Sequence, residues 1–98
     1  MLSQAHEIRE RRCSSRWRSG RDLRWRVRRG RIAKTAEILE RSLNGLVLEV
    51  TRADAPAEGQ YVLPADRRIG DRHGFREGIV RRRLNDGRRS VLYVEILA

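Results

Sequence analysis

The stretch that decides the fold is Gly78-Ile-Val-Arg-Arg-Arg-Leu-Asn-Asp-Gly-Arg-Arg-Ser-Val-Leu-Tyr-Val-Glu-Ile-Leu97. Two runs rich in Val, Ile, Leu and Tyr flank Asn85-Asp86-Gly87, which is the composition of a β-hairpin closed by a three-residue loop with glycine in the left-handed region. Such a loop sets Leu84 opposite Arg88 and carries the register outward: Arg83 with Arg89, Arg82 with Ser90, Arg81 with Val91, Val80 with Leu92, Ile79 with Tyr93. One face then holds Val80, Leu92, Val94 and Ile96 and turns to the core. The other holds Arg81, Arg83, Arg89 and Tyr93. Arg83 across from Arg89 is a like-charge pair, unfavourable unless something negative or water lies over it.

Upstream of the hairpin the chain offers fewer regular signals. Residues 60–63 form a short strand stopped by Pro64, and residues 53–58 a proline-containing loop. Residues 46–52 alternate as a strand with Leu46, Leu48 and Val50 inward. Residues 35–44 are predicted as a helix: Thr35 can cap it, Glu37 suits the first turn, Glu37 and Arg41 are four apart, and Gly45 supplies a left-handed stop. Its buried stripe would be Ala36, Leu39 and Leu43, with Ile32 just upstream. Residues 65–76 read as a loop with at most one helical turn.

The N-terminal third is basic. Residues 3–13 form at best a marginal helix, and residues 14–20 read as a flexible basic linker. Residues 23–28 alternate strictly, with Leu23, Trp25 and Val27 on one face and Arg24, Arg26 and Arg28 on the other, a half-buried strand if paired and a basic arm if not. The organisation expected is a basic arm over residues 1–30 followed by a small α+β domain over residues 31–98. That domain has one helix and a small antiparallel or barrel-like sheet ending in the hairpin.

The chain of 98 residues carries a formal charge of +10, with Lys34 the only lysine. Charged residues make up 37% and aromatic ones 5%, a composition with enough apolar residues for one modest core. The charge is uneven: basic over residues 1–31 and 67–98, mildly acidic between them. Arginine suits bidentate contact with phosphate, although GC-rich coding also yields arginine-rich chains. Cys13 is the only cysteine, which excludes an internal disulfide and a cysteine-based metal site and fits a reducing, cytoplasmic setting. No apolar run has signal-peptide or membrane-spanning character, so no membrane partner is expected. An Arg- and Ser-rich organellar transit peptide is the alternative for the first residues.

Gly59-Gln60-Tyr61-Val62-Leu63-Pro64-Ala65-Asp66-Arg67-Arg68 resembles the Gly-Gln-x-x-Ile/Leu-Pro-x-x-x-Arg signature of AbrB/SpoVT-type swapped-hairpin DNA-binding domains, with Val50-Thr51 ahead of it and the Asp86-Gly87 turn after it. The resemblance implies a homodimer of interleaved hairpins presenting arginines to DNA, as a regulator or antitoxin. In this chain residues 52–58 intervene where the family has a tight link.

The function expected is non-catalytic binding of nucleic acid, RNA in preference to DNA, as an RNA-binding or ribonucleoprotein-associated component, with an acidic protein surface in a larger assembly as the alternative partner. The candidate contacts are Arg16, Trp17, Arg18, Arg24, Arg26 and Arg28 in the arm and Arg81, Arg83, Arg89 and Tyr93 in the hairpin, guanidiniums for phosphates and aromatic rings for bases. The competing account is a solvated hairpin face, and for Trp25 a core anchor. His73, amid Arg67, Arg68, Arg72 and Arg76, could serve a metal-independent ribonuclease as general base, but a single loop histidine is more often only a loop residue. No cofactor or metal is expected: there is no phosphate-binding glycine loop, dinucleotide fingerprint or ligand spacing for a metal.

Overall fold

The structure, a computed structural model, describes residues 22–97. It contains β1 (Asp22–Val27), β2 (Lys34–Arg41), β3 (Gly45–Thr51), a 3-10 turn (Arg52–Asp54), β4 (Tyr61–Pro64), α1 (Arg67–His73), β5 (Glu77–Asp86) and β6 (Arg89–Leu97). The strands close into an antiparallel barrel in the order β1-β2-β3-β6-β5-β4. Strands hold 58% of the described residues and the single α-helix is short, so the expected α+β class is corrected to a mostly β barrel.

The alternating stretches dictate this arrangement. Inward residues at every second position build the core: Leu23 and Trp25 from β1, Leu46, Leu48 and Val50 from β3, Val62 from β4, Val80 from β5, Leu92 and Val94 from β6, with Phe75 from the loop after α1. Trp25 is therefore a core anchor. Residues 22–27, within the stretch expected as an arm, are a barrel strand that pairs with β2 on one side and β4 on the other.

The helix expected over residues 35–44 is overturned: that segment is β2 and the turn after it. In a strand the inward positions are Ala36 and Ile38, which are buried, whereas Leu43 of the expected helical stripe is 89% exposed and Ile32 is 75% exposed. Helix caps and (i, i+4) pairs contribute about 1 kcal/mol or less each. Ladders to β1 and β3 on both edges outweigh them. Gly45 opens β3 with no positive φ, so it is not a left-handed stop.

The hairpin forms with a different turn. Gly87 has φ 64° and Arg88 does not share the positive region, which is the pattern of a two-residue type II′ turn with glycine first. The pairs are Asp86 with Arg89, Asn85 with Ser90, Leu84 with Val91, Arg83 with Leu92 and Arg82 with Tyr93; a bulge at Arg81 then shifts the register to Val80 with Val94. The expected pairing of Arg83 with Arg89 does not occur. Asn85 Oδ1 accepts from Ser90 Oγ at 2.7 Å and from Arg83 Nε at 2.9 Å, which holds the strands together up to the shorter turn.

Two connections shape the barrel ends. β3 and β4 lie on opposite sides of the ring, so residues 52–60 cross one end, with Pro56 buried and Gly59 N–H donating to Val80 O at 2.7 Å. At the other end α1 stands where a loop was expected. Asp66 caps it by accepting from Ile69 N–H, Gly74 ends it at φ 69°, and Gly70 packs so closely that a Cβ there would lie 2.7 Å from Phe75 O. Its propensity is poor; the caps and this close seat hold it.

Ile38→Ala is expected to lower the unfolding free energy by about 2–5 kcal/mol and Leu43→Ala by no more than about 0.5 kcal/mol. Urea titration checks this, and the opposite ranking would be that of a helix.

Candidate nucleic-acid interface

The structure divides the expected contact residues into two groups. Arg16, Trp17 and Arg18 lie outside the described residues. Of the β1 arginines, Arg24 is exposed on the outer surface with no acidic partner among the described residues. Arg26 instead donates to the carbonyls of Val27, Arg28 and Gly30 at 3.1–3.4 Å. Arg28 donates to Glu77 at 2.8 Å and lies over the Tyr61 ring, 4.1 Å from its centroid. Both are committed within the barrel surface.

On the hairpin the same division holds. Arg83 is opposite Leu92, hence on the inward side, where its guanidinium donates to Ala55 O at 3.1 Å and Pro56 O at 3.5 Å while Glu58 accepts from its N–H. Arg83 is thus a strut that fastens the crossing connection to β5. Arg81 pairs with Glu95 at 2.6 Å, both side chains about half exposed. Arg89 is exposed at the hairpin tip, between Thr51 of β3 and Asp86 of β5.

Arg82, which the three-residue loop placed opposite Ser90, is the residue sequence reasoning missed. The bulge sets Arg81 and Arg82 together against Tyr93, and Arg82 lies over the Tyr93 ring at 5.9 Å. Only the run of three arginines hinted at it, because a bulge has no firm sequence signature. Arg52 and Arg88 were also missed: Arg52 N–H donates to Arg88 O at 2.7 Å and its guanidinium to Gly87 O at 3.4 Å, which brings Arg52, Arg88 and Arg89 together at the tip. From Arg82 to Asp86, where the turn begins, the outer face spans about 13 Å at strand rise.

A guanidinium holding loop carbonyls recurs. Arg41 donates to Ser42 O, to His73 O and to Gly74 O, tying β2 to the end of α1. With Arg26, Arg52 and Arg83, four arginines donate to connecting backbone, Arg41 from all three of its guanidinium nitrogens. Arg83→Lys, which keeps the charge but loses the fork, is expected to cost about 1 kcal/mol, whereas Arg89→Lys changes stability by less than about 0.5 kcal/mol. Chemical denaturation compares the two.

His73 closes α1 half-buried, its pKa lowered from 6.5 by burial first and then by the Arg72 and Arg41 charges. It is neutral at pH 7. Among the described residues no group of His, Cys, Asp and Glu could hold a metal ion. Because folded His73 takes up a proton less readily than unfolded His73, its contribution is intact above pH 6.5 and is lost as pH falls through its lowered folded value. His73→Gln should therefore flatten the drop in Tm between pH 7.5 and 5.5 relative to wild type.

The segment resembling the AbrB/SpoVT signature occupies the turn at Gly59, β4 and the first turn of α1. Among the described residues no helix is long and apolar enough to cross a membrane. Comparison with protein-family models, with curated proteins and with solved structures gave no match.

Proposed function

We propose that the protein is a non-catalytic nucleic-acid-binding barrel that grips single-stranded RNA across the outer face of the β5–β6 hairpin. The observation that carries this is the exposed row formed by Arg82 over Tyr93 and by Arg52, Arg88 and Arg89 at the tip. Guanidiniums spaced along a sheet face take phosphates, and an aromatic ring between them takes an unstacked base. RNA is favoured over duplex DNA because α1, of seven residues, sits against β4 and belongs to no helix pair that could enter a major groove. The lone Cys13 agrees with an intracellular, reducing setting.

Binding of a fluorescein-labelled mixed-sequence oligoribonucleotide, followed by anisotropy from 50 to 200 mM salt, is expected to weaken steeply. Arg88→Ala and Arg89→Ala are each expected to reduce the slope of log K against log salt by about one. Affinity independent of salt would refute the reading. Recovery of a stoichiometric acidic protein free of nucleic acid would replace it with the acidic-partner alternative.

A further inference from the structure

Resting on the nucleic-acid reading, we propose that the groove beside the β2–β3 turn is a base-binding pocket, which holds one unstacked base of a single strand on Tyr93. In an antiparallel ladder, residues directly opposite each other share a face. Val47 is opposite Tyr93, and Gly45 is opposite Glu95, so all four positions lie on the outside of the barrel. Gly45 is closely seated at the groove floor: a Cβ there would meet Ser42 Oγ at 3.3 Å and Val94 O at 3.2 Å. The groove has a volume of about 370 Å³, with Ser42, Asn44, Arg81, Tyr93 and Glu95 among its walls. That volume falls in the range of small-ligand sites, about 300–1,000 Å³.

The chemistry of the walls fits a base. Tyr93 supplies a partly exposed ring. Arg82 stacks on it loosely, close to the limit of about 6 Å for such contacts, so a base can displace the guanidinium toward a neighbouring phosphate. Arg81 is held against Glu95, which fixes one wall. The Asn44 amide and the Ser42 hydroxyl, which also line the groove, offer both donors and acceptors to a base edge. The groove adjoins the arginine row, so the strand can pass from the tip arginines to the pocket without leaving the β5–β6 face. A duplex, whose bases are stacked and paired, has nothing to insert.

The test uses the full chain and a single-stranded oligoribonucleotide carrying one 2-aminopurine. Wild type and Tyr93→Phe should quench the probe on binding. Tyr93→Leu should abolish the quench and weaken binding by about 5- to 100-fold with the salt slope unchanged, while Asn44→Ala should weaken binding with quenching retained. Arg89→Ala should lower the salt slope and leave the quench intact. Thermal melts confirm that each variant is folded. Equal quenching by Tyr93→Leu, or a duplex bound as tightly as the single strand, would overturn the pocket. Salt-dependent association with no change in fluorescence would remove the pocket alone; absence of salt-dependent association with any oligonucleotide would remove the nucleic-acid reading itself.

Discussion

The barrel depends on the closing contact between β1 and β4. Trp25, Arg26 and Val27 pair with Pro64, Leu63 and Val62, and β4 has only four residues with which to do it. Without this seam, β1 and β4 would each present an unpaired edge, and edge strands of a small sheet recruit other chains. The seam is short, bounded by the bonds from Ala65 N–H to Arg24 O at 2.8 Å and from Arg28 N–H to Tyr61 O at 3.0 Å. Packing compensates: Trp25 and Val62, both buried, bring the two strands together from inside. The indole N–H of Trp25 has no acceptor among the described residues, a cost of about 1–3 kcal/mol that the buried ring offsets.

Closure also determines what the outer surface can offer. Inside positions are filled by side chains, so any ligand meets the outer faces and the ends. One end is crossed by residues 52–60, locked by Arg83 and Glu58; the other is covered by α1, held by Arg41 and by Asp66 as cap. The hairpin face between these two ends combines exposed arginines with an aromatic ring and a groove.

Strict alternation was legible wherever it ran long enough. Leu23 and Trp25, Leu46, Leu48 and Val50, and Leu92 and Val94 all face the core as their spacing predicts. β2 was not legible, because its inward set is only Ala36 and Ile38 before a bulge, while Thr35, Glu37, Arg41 and Gly45 carry local signals for a helix. Pairing to β1 and β3 decided the matter, and neither ladder is visible in a local window. The site followed the same logic. Tyr93 and Arg81 lie on the outer face as expected, but the shorter turn moved Arg83 inward and the bulge brought Arg82 beside Tyr93. An odd slip of register exchanges faces, so the misread turn reassigned Arg82 and Arg83, and the bulge restored the expected facing by Val80.

The arginines that bind connecting backbone give the composition a structural meaning. Arg26, Arg41, Arg52 and Arg83 each donate to carbonyls of the connections; Arg41 does so from all three of its guanidinium nitrogens, and Arg83 holds Ala55 O from Nη1 while its Nε reaches Asn85. An ammonium, with its donors on a single atom, cannot reproduce the contacts that Arg41 and Arg83 make from separate nitrogens. The scarcity of lysine is thus partly architectural: these guanidiniums act as cross-braces, and the residues that carry the charge excess are not all available to carry a ligand. A variant of this chain recoded from arginine to lysine would keep its net charge and lose its braces, so the same electrostatic attraction would be mounted on a looser frame.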